Sequence, residues 1–365
     1  MRKKHFLFAS VLALLCGSST LHAQDFKLTS SGYFKNQGVD VMAFDDIYPE
    51  GHQGGVCIIM NGHRVATNGD IRLEATPGQW QPVPKQLDRK LGDNSITATL
   101  CYPDSSRHLT GFNPMIYPDL HLIYTVNVES KGKNIEVTVD LDRPIPQEFI
   151  GKVGFNLEFF PGSLFGKPWI MDGQSGIFPQ QPNSPLMTTQ PNYLHTGNYH
   201  DGKKSLADMN KLIGKGYSPI VADDIISEPY AKGTKFTSRP DDPYNKVTIE
   251  SLSGDLQLFD GRMNHNNGWF VLRSNIKPGV TKGAVKWIIT PNVVADWMYQ
   301  PVIQTSQIGY HPTQDKEAVI EMDIRDNRKE TAQIIRIDAD GEKVVKNVTP
   351  ANWGKFLRYN YLKVN

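Results

Sequence analysis

Two runs of alternating apolar residues joined by a short polar turn constrain the fold of this chain more than any other feature. Apolar side chains take every second position, at Leu120, Leu122, Tyr124, Val126 and Val128 and again at Ile135, Val137, Val139 and Leu141. Successive side chains of a strand point to opposite faces, so this period of two predicts an antiparallel hairpin with one buried face. The polar residues 130–134, with a glycine at their centre, supply the turn.

Further apolar runs, separated by Gly, Asn and Asp, predict more strands. They cover residues 153–159, 247–252, 257–259, 269–272 and 285–289. This count exceeds a small immunoglobulin fold. We therefore predict an all-β chain with a large antiparallel β-sandwich over residues 24–299, for which the two-sheet supersandwich is one available form.

Little of the chain is predicted to be helical. One short helix is expected to begin at Ser205 and to end at Gly214, because Asp208 completes an approximate capping box and glycine favours a helix end. The segment 161–202 is rich in Pro, Gly, Asn and Gln and is predicted to form ordered loops over one rim of the sandwich.

The first residues have the pattern of an export signal. Basic residues at 2–4 precede an apolar run at 6–15 and a small-residue site at 21–23, which predicts a signal peptide over residues 1–23 and a periplasmic or extracellular protein. Cys16 leaves a lipoprotein anchor open, although the bulky residue before it disfavours that processing. No later segment approaches the ~20 apolar residues of a membrane-spanning helix, so no membrane span is predicted.

The charge of the chain excludes one class of partner. The formal net charge is +1, and it becomes −2 without residues 1–23, which hold three basic and no acidic residues. The lysines and arginines are scattered singly, whereas nucleic-acid binding needs a concentrated basic face. A neutral substrate or partner fits better, and no nucleic acid is expected.

Cys57 and Cys101 are the cysteines that remain after export. In an oxidising compartment they could form one disulfide. Both also lie in apolar runs, and two buried thiols packed as small apolar residues are the favoured alternative. Neither arrangement has the closely spaced ligands of a metal or redox site, so we predict no metal and no cofactor.

A strand-turn-strand corner lies in the segment 304–322. Gly309 permits a backbone conformation closed to other residues, Pro312 fixes its own φ, and Tyr310 can pack its ring while its hydroxyl stays bonded. Alternation at 318–323 predicts a strand, and Asp340-Gly341 between residues 333–337 and 343–345 predicts a hairpin.

This tail resembles the start of the immunoglobulin-like domain that precedes the catalytic barrel of glycoside hydrolase family nine endoglucanases. The resemblance is carried in order by Gln307, Gly309, Tyr310, Pro312, Lys316, Ala318 and Val319, and then by residues 353–361. It implies that residues 300–365 form an incomplete immunoglobulin-like β-sandwich, with an unpaired edge and a partly uncovered core. We therefore expect the chain to be a fragment whose catalytic domain would follow in cis.

The resemblance also implies an activity for the full enzyme, namely cleavage of β-1,4-linked glucan with inversion. Its catalytic base belongs to an Asp-x-Gly-Asp motif and its acid is a distant glutamate, both in the barrel. Neither motif occurs in this sequence, so no catalytic residue is assigned and this chain is expected to be non-catalytic. Asp223, Asp224 and Glu228 are the best local carboxylates, but a polar turn explains them.

Aromatic residues beside polar turns are the candidates for sugar contact. Trp80, Trp169, Tyr193 and Trp269 fit this description, because pyranose rings pack on aromatic faces while hydroxyl groups bond nearby polar side chains. Packing beneath the rim loops is the alternative for each of them. His195, His200 and His265 lie in similar loops and are expected to be solvated or hydrogen-bonded rather than metal-bound.

These observations predict the non-catalytic amino-terminal portion of an exported glycoside hydrolase acting on β-glucan polysaccharide or oligosaccharide. The alternative is a stand-alone exported glycan-binding protein. A sugar epimerase or mutarotase is suggested only by a large sandwich, which is fold analogy.

Overall fold

The computed structural model describes residues 25–45, 54–74, 84–106, 119–181, 187–188, 226–263 and 268–365. The predicted signal peptide at 1–23 and the predicted helix from Ser205 lie outside the described residues. The prediction of an all-β antiparallel chain is confirmed, since the described chain holds two nine-stranded antiparallel sheets.

The first sheet has the strand order β1-β2-β3-β4-β5-β10-β19-β18-β15. Its strands are β1 Lys27–Leu28, β2 Phe34–Asn36, β3 Val39–Ala43, β4 Val56–Met60, β5 His63–Leu73, β10 Val153–Phe159, β15 Ala231–Gly233, β18 Leu256–Asp260 and β19 Phe270–Asn275. Strands distant in sequence thus meet at its centre, where β10 pairs with both β5 and β19.

The second sheet has the order β12-β11-β16-β17-β20-β9-β8-β7-β6. Its strands are β6 Lys85–Leu91, β7 Ser95–Tyr102, β8 Leu122–Lys131, β9 Asn134–Leu141, β11 Pro168–Met171, β12 Gln174–Ile177, β16 Lys235–Ser238, β17 Val247–Ser251 and β20 Val285–Pro291. A short separate pair joins β13 Met187–Thr188 to β14 Ile226–Ser227.

The hairpin that constrains the fold most forms as predicted. Strands β8 and β9 pair from Tyr124↔Leu141 to Lys131↔Asn134, and Gly132 takes the first loop position with φ 66°. Glycine adopts this left-handed backbone without the steric cost of a Cβ. The alternate apolar side chains of both strands are buried, as their period requires.

The sandwich core lies between the two large sheets. Phe155 of the first sheet meets Trp287 of the second edge to face, with ring centroids 5.0 Å apart. The indole N–H of Trp287 donates to the hydroxyl of Ser274 at 3.0 Å, so this buried polar group keeps a partner. Apolar residues from both sheets surround this contact and fix the sheets face to face.

Strands after residue 300 pair with one another and not with the sandwich, within the part of the chain that the structure describes. The C-terminal sheet has the order β21-β22-β26-β25, with strands β21 Val302–Gln304, β22 Ala318–Asp323, β25 Ala351–Phe356 and β26 Tyr359–Val364. The C-terminal hairpin consists of β23 Ala332–Asp338 and β24 Gly341–Val348. The hairpin is where the sequence predicts one, but its turn residues are Ala339 and Asp340, and Gly341 is the first residue of β24, opposite Asp338.

One face of the C-terminal sheet is aromatic. The register pairs Phe356 with Tyr359 and places Tyr361 two residues further along the same strand face. Trp353, next to a register shift, packs on Tyr361 at 5.9 Å. Residues of the opposite face, among them Met322 and Leu362, are buried.

Two local expectations differ from the structure. The composition of 161–202 predicts loops, yet β11 and β12 form a hairpin within this segment, because Trp169 and Met171 alternate inward and are buried. The disulfide alternative is not realised, since no disulfide joins Cys57 to Cys101.

Three single 3₁₀ turns, Gln147–Phe149, Pro161–Ser163 and Gly261–Met263, are the helical elements among the described residues. None of the described helical elements is long and apolar enough to cross a membrane.

Candidate functional site

A cleft of about 210 Å³ lies where the sandwich meets the C-terminal sheet. Its sandwich wall comes from the β2–β3 hairpin and the turn after β4, and its other wall comes from the segment after β20 and from β22 and β26. The lining residues are Lys35, Asn36, Gln37, Gly38, Asp40, Gly62, Trp297, Tyr299, Asp323, Ile324, Arg325, Arg358 and Tyr359. We call it the junction cleft.

Three aromatic rings form a row along the junction cleft. The rings of Trp297 and Tyr299 lie 6.3 Å apart, and those of Tyr299 and Tyr359 lie 5.1 Å apart at a steep angle. Edge-to-face packing of this kind is favourable beyond the area that it buries. The row therefore holds its shape without a ligand.

Glycines let this aromatic row approach the sandwich. A Cβ on Gly38 would lie 2.7 Å from Cε3 of Trp297, and a Cβ on Gly62 would lie 3.2 Å from Cε2 of Tyr299. Both glycines also have positive φ, of 66° and 85°, a backbone region that favours glycine. The two hairpin turns are thus shaped to receive the rings.

An ion pair spans the junction cleft. The guanidinium of Arg358 donates to the Asp40 carboxylate, while its Nε donates to the hydroxyl of Tyr359 at 3.0 Å. Burial raises the pKa of Asp40 above its usual value, and the charges of Arg358 and Lys35 only partly offset that rise. The pair joins the first sheet to the C-terminal sheet directly.

A second set of bonds fixes the back of the junction cleft. The carbonyl of Trp297 accepts from the side chain of Gln37 at 2.7 Å and from Arg325. Asp323 accepts from the backbone N–H of Tyr299 at 3.0 Å and from Arg325 Nε at 2.9 Å. Because these donors come from both sides, the segment that follows β20 is held in one path.

The phenol of Tyr299 is bonded to an acid. It donates to Glu321 Oε1 at 2.9 Å, and burial together with this bond raises the pKa of Tyr299 to about 12. Tyr299 therefore stays protonated at neutral pH. It offers the cleft a ring face rather than a base.

The aromatic row continues beyond the junction cleft along the C-terminal sheet. The rings of Tyr359 and Tyr361 lie 6.0 Å apart, and Trp353 follows Tyr361. The ammonium of Lys363 sits 4.7 Å from the centre of the Trp353 ring, in cation–π range. A shallow outer depression is lined by Trp353, Gly354, Lys355, Phe356 and Tyr361.

A network of buried charges in the first sheet is another cluster with titratable groups. Arg273 pairs with Glu74 at 3.1 Å, and Arg72 lies 3.7 Å from Asp70. The phenol of Tyr124 donates to Asp70 at 2.7 Å. Burial raises the pKa of Asp70 to about 6, although Arg72 and Tyr124 oppose the shift.

Each acid of that network has an arginine partner and is nearly fully buried, which is typical of structural ion pairs. We assign it no chemistry. No group of His, Cys, Asp or Glu in the described ranges has the geometry to hold a metal ion.

Two of the four aromatic residues predicted to contact sugar, Trp169 and Trp269, are described, and neither lines the junction cleft. Trp169 is only 5 % exposed and packs beside Tyr230 in the sandwich core. Trp269 packs edge to face on Phe160, with centroids 4.4 Å apart. Each of these two rings thus packs against another aromatic side chain.

Most of the other candidates lie outside the described residues. Trp80 and Tyr193 lie outside the described residues, as do Asp223, Asp224 and the three loop histidines at 195, 200 and 265. Glu228 is described and half-buried, directly after β14.

The residues of the junction cleft are not predicted as a site by the sequence. In the sequence, Trp297 and Tyr299 are two aromatic residues at the end of the predicted sandwich, and residues 353–361 contribute only to the family nine resemblance. The usable signal is two aromatic clusters, of which the second, at 353–361, also contains Arg358. Their convergence with Asp40 and Gly38, more than 250 positions away, depends on tertiary folding.

Comparison with known proteins adds little to this geometry. No known family matches the chain. No curated protein matches it with significance. Among solved structures, a crystal structure of HI1317 aligns with 74% of this chain and 99% of its own length, at 8% identity and a TM-score of 0.28. A likeness at that score supports no statement about fold or function.

Proposed function

We propose that this chain is the non-catalytic portion of an exported enzyme that degrades β-1,4-linked glucan. In this proposal the sandwich is an accessory domain, and residues 300–365 belong to an immunoglobulin-like domain that packs against the catalytic domain. The family nine resemblance of the tail motivates the substrate class.

The observation that carries the proposal is the uncovered apolar surface of the C-terminal hairpin. Ile335 pairs with Val344, and Ile337 lies two residues further on the same face. All three side chains are exposed, Ile337 at 75 %. A lone two-stranded hairpin is marginally stable in water, so an apolar face of this kind supports contact with a further domain.

The described carboxylates also fit a non-catalytic role. The most buried acids, among them Asp70, Glu74 and Asp260, each pair with an arginine. A glycosidase instead needs two carboxyl groups that face one sugar, ~5 to 9.5 Å apart with room for water or substrate.

The test is an assay for reducing ends released by the purified chain from carboxymethyl cellulose and mixed-linkage β-glucan. We expect no release above a heat-denatured control. Turnover that persists after further purification would contradict the proposal.

A stand-alone glycan-binding protein is the second candidate, and the aromatic row of the junction cleft favours it. Binding through Trp169 is disfavoured, because its ring is buried in the sandwich core. The two candidates differ in whether the C-terminal hairpin needs a partner domain.

A further inference from the structure

We propose that the junction cleft is a glycan-binding site that takes a single pyranose unit of a neutral β-linked glucan chain. The choice of β-glucan rests on the proposed function, whereas the site itself rests on the geometry of the cleft. It is distinct from the C-terminal hairpin that would contact a catalytic domain.

The size of the junction cleft suits one sugar ring. Its volume of about 210 Å³ is below the ~300 to 1,000 Å³ of pockets that enclose drug-sized ligands. A longer glucan chain would therefore place one unit inside and extend along the row of Tyr359, Tyr361 and Trp353. The outer depression at Trp353 gives such a chain a second, weaker contact.

The walls of the junction cleft hold aromatic rings that can pack on the C–H face of a sugar and polar groups that can bond its hydroxyl groups. Trp297, Tyr299 and Tyr359 supply ring faces and edges for the C–H groups of a pyranose. Arg358 bonds Asp40 through Oδ2, so Oδ1 can accept from a sugar hydroxyl. The phenol of Tyr359 accepts from Arg358 and still has its own O–H to donate.

Four of the five charged side chains that line the junction cleft are paired with each other, which suits a ligand that binds through hydroxyl groups. Arg358 is matched by Asp40 and Arg325 by Asp323, which leaves Lys35 as the additional cation in the lining. An anionic sugar would meet the two carboxylates, and a cationic one would meet three basic groups. Uncharged hydroxyl groups can bond both the acidic and the basic side chains without repulsion between like charges.

The geometry is formed in advance. The ion pair of Arg358 with Asp40 and the bonds to the Trp297 carbonyl hold the walls in place before any ligand enters. Because these side chains are already ordered, binding of a ligand costs less conformational entropy than it would at a flexible site. This separates the cleft from Trp353, which is 57 % exposed on the open part of the sheet.

The experiment is isothermal titration calorimetry of the full chain with cellotetraose, repeated for variants of the cleft. We expect saturable binding by the wild type and a loss of about tenfold or more in affinity for Tyr359→Ala, as for the removal of a central aromatic contact. Lys35→Ala leaves both ion pairs of the cleft intact and should weaken binding about threefold or more by loss of a hydroxyl partner.

Matched controls locate the effect. Trp353→Ala removes an aromatic residue of the outer depression and should change the affinity for cellotetraose less than threefold. Lys133→Ala removes a distant exposed lysine and should leave that affinity unchanged. Thermal melts of each variant show whether it remains folded. If Tyr359→Ala does not fold, the comparison of Lys35→Ala with Lys133→Ala decides the question.

Three results would overturn the site. The first is no detectable binding at a cellotetraose concentration about tenfold above a dissociation constant of about 1 mM, on the order of the weakest specific affinities. The second is an equal loss of affinity in Trp353→Ala and Tyr359→Ala. The third is tighter binding of a glucuronic-acid oligosaccharide than of cellotetraose. Absence of binding would contradict the binding site but not the proposed non-catalytic role. Hydrolysis of glucan by the chain would contradict the non-catalytic role, and the variants of the cleft would still test the binding site.

Discussion

Arg358 and Asp40 form an ion pair between residues 318 positions apart in sequence. Asp40 lies on β3 of the first sheet, and Arg358 lies in the turn between β25 and β26 of the C-terminal sheet. The side chain of Asp40 is 12 % exposed and that of Arg358 is 31 % exposed. The pair therefore holds the two sheets together from a largely desolvated position.

Arg358→Ala is expected to lower the free energy of unfolding by about 1 to 2 kcal/mol. It leaves the Asp40 carboxylate buried without its main partner, and partial exposure of the arginine reduces the cost below that of a fully buried pair. Urea unfolding followed by tryptophan fluorescence measures the change. The control Lys282→Ala removes an ion pair with Asp140 whose lysine is 82 % exposed and should cost less than ~0.5 kcal/mol. Equal costs in the two variants would contradict the role of the junction pair.

Asp70→Asn is expected to change how stability depends on pH. The pKa of Asp70 is raised by burial from 3.8 to about 6 in the folded protein. The folded state then binds more protons than the unfolded state between pH 4 and 6, so this group's stabilising contribution is present below pH 4 and is lost as pH rises to 6.

The size of that contribution is up to ~3 kcal/mol, because a difference of one between the folded and unfolded pKa values corresponds to about 1.36 kcal/mol. Asn keeps an oxygen that can accept from Tyr124 and the Ile71 N–H, so the variant removes the titration with little change of shape. Unfolding free energies at pH 4 and pH 6.5 measure the difference between wild type and variant. The same pH slope in both proteins would show that Asp70 titrates normally.

Gly38→Ala is expected to destabilise the protein more than Gly151→Ala. Both glycines have positive φ, so both alanines incur a backbone cost of about 1 kcal/mol. At Gly38 the new Cβ would lie 2.6 Å from Oδ1 of Asn61 and 2.7 Å from the Trp297 ring, whereas at Gly151 it meets nothing within 4 Å. Overpacking should add about 1 to 3 kcal/mol, measured by urea unfolding. An equal loss of unfolding free energy in Gly38→Ala and Gly151→Ala would mean that the neighbours of Gly38 can move aside without cost.

Cys57 and Cys101 are expected to react at different rates with iodoacetamide in the native protein. The Cys57 thiol is buried and contacts the hydroxyl of Thr67 at 3.0 Å, while Cys101 is half-buried. Burial raises the pKa of Cys101, so its alkylation should accelerate as pH rises toward 9. Peptide mapping by mass spectrometry should find Cys57 modified only after denaturation. A peptide linked through both cysteines would contradict the free-thiol state.

Ile337→Ser is expected to leave the free energy of unfolding within about 0.5 kcal/mol of wild type, because that side chain is mostly exposed. It should also reduce fluorescence of the dye ANS bound to the C-terminal hairpin. The matched control Ile58→Ser places a hydroxyl at a fully buried position and should cost several kcal/mol. A large loss for Ile337→Ser would mean that the hairpin face is already covered.

The strands are predictable because their signal is local. The period of two at 122–141 requires only neighbouring residues, and β8 and β9 form the expected antiparallel hairpin. The hairpin of β11 and β12 is not predicted, because Gly173 and its polar neighbours suggest a loop. Inward packing of Trp169 and Met171, which depends on the opposite sheet, decides that segment.

The junction cleft is not predictable from local patterns. Trp297 and Tyr299 are visible as an aromatic cluster, and Arg358 and Tyr359 as part of the tail. Nothing in their spacing indicates that Gly38 and Asp40 lie opposite them. The same limit applies to Trp169, whose polar neighbours suggest a sugar platform while its ring is buried.

By itself the sequence determined the all-β class and the positions of its main strands, because strand period and turn residues act over a few positions. Tertiary structure alone decided the order of the strands in each sheet, the burial of the Asp70 and Glu74 network, and the meeting of Asp40 with Arg358. These features depend on which distant parts of the chain bury their apolar surfaces against each other. The free energy of that burial is distributed over many residues and is not encoded in any single motif.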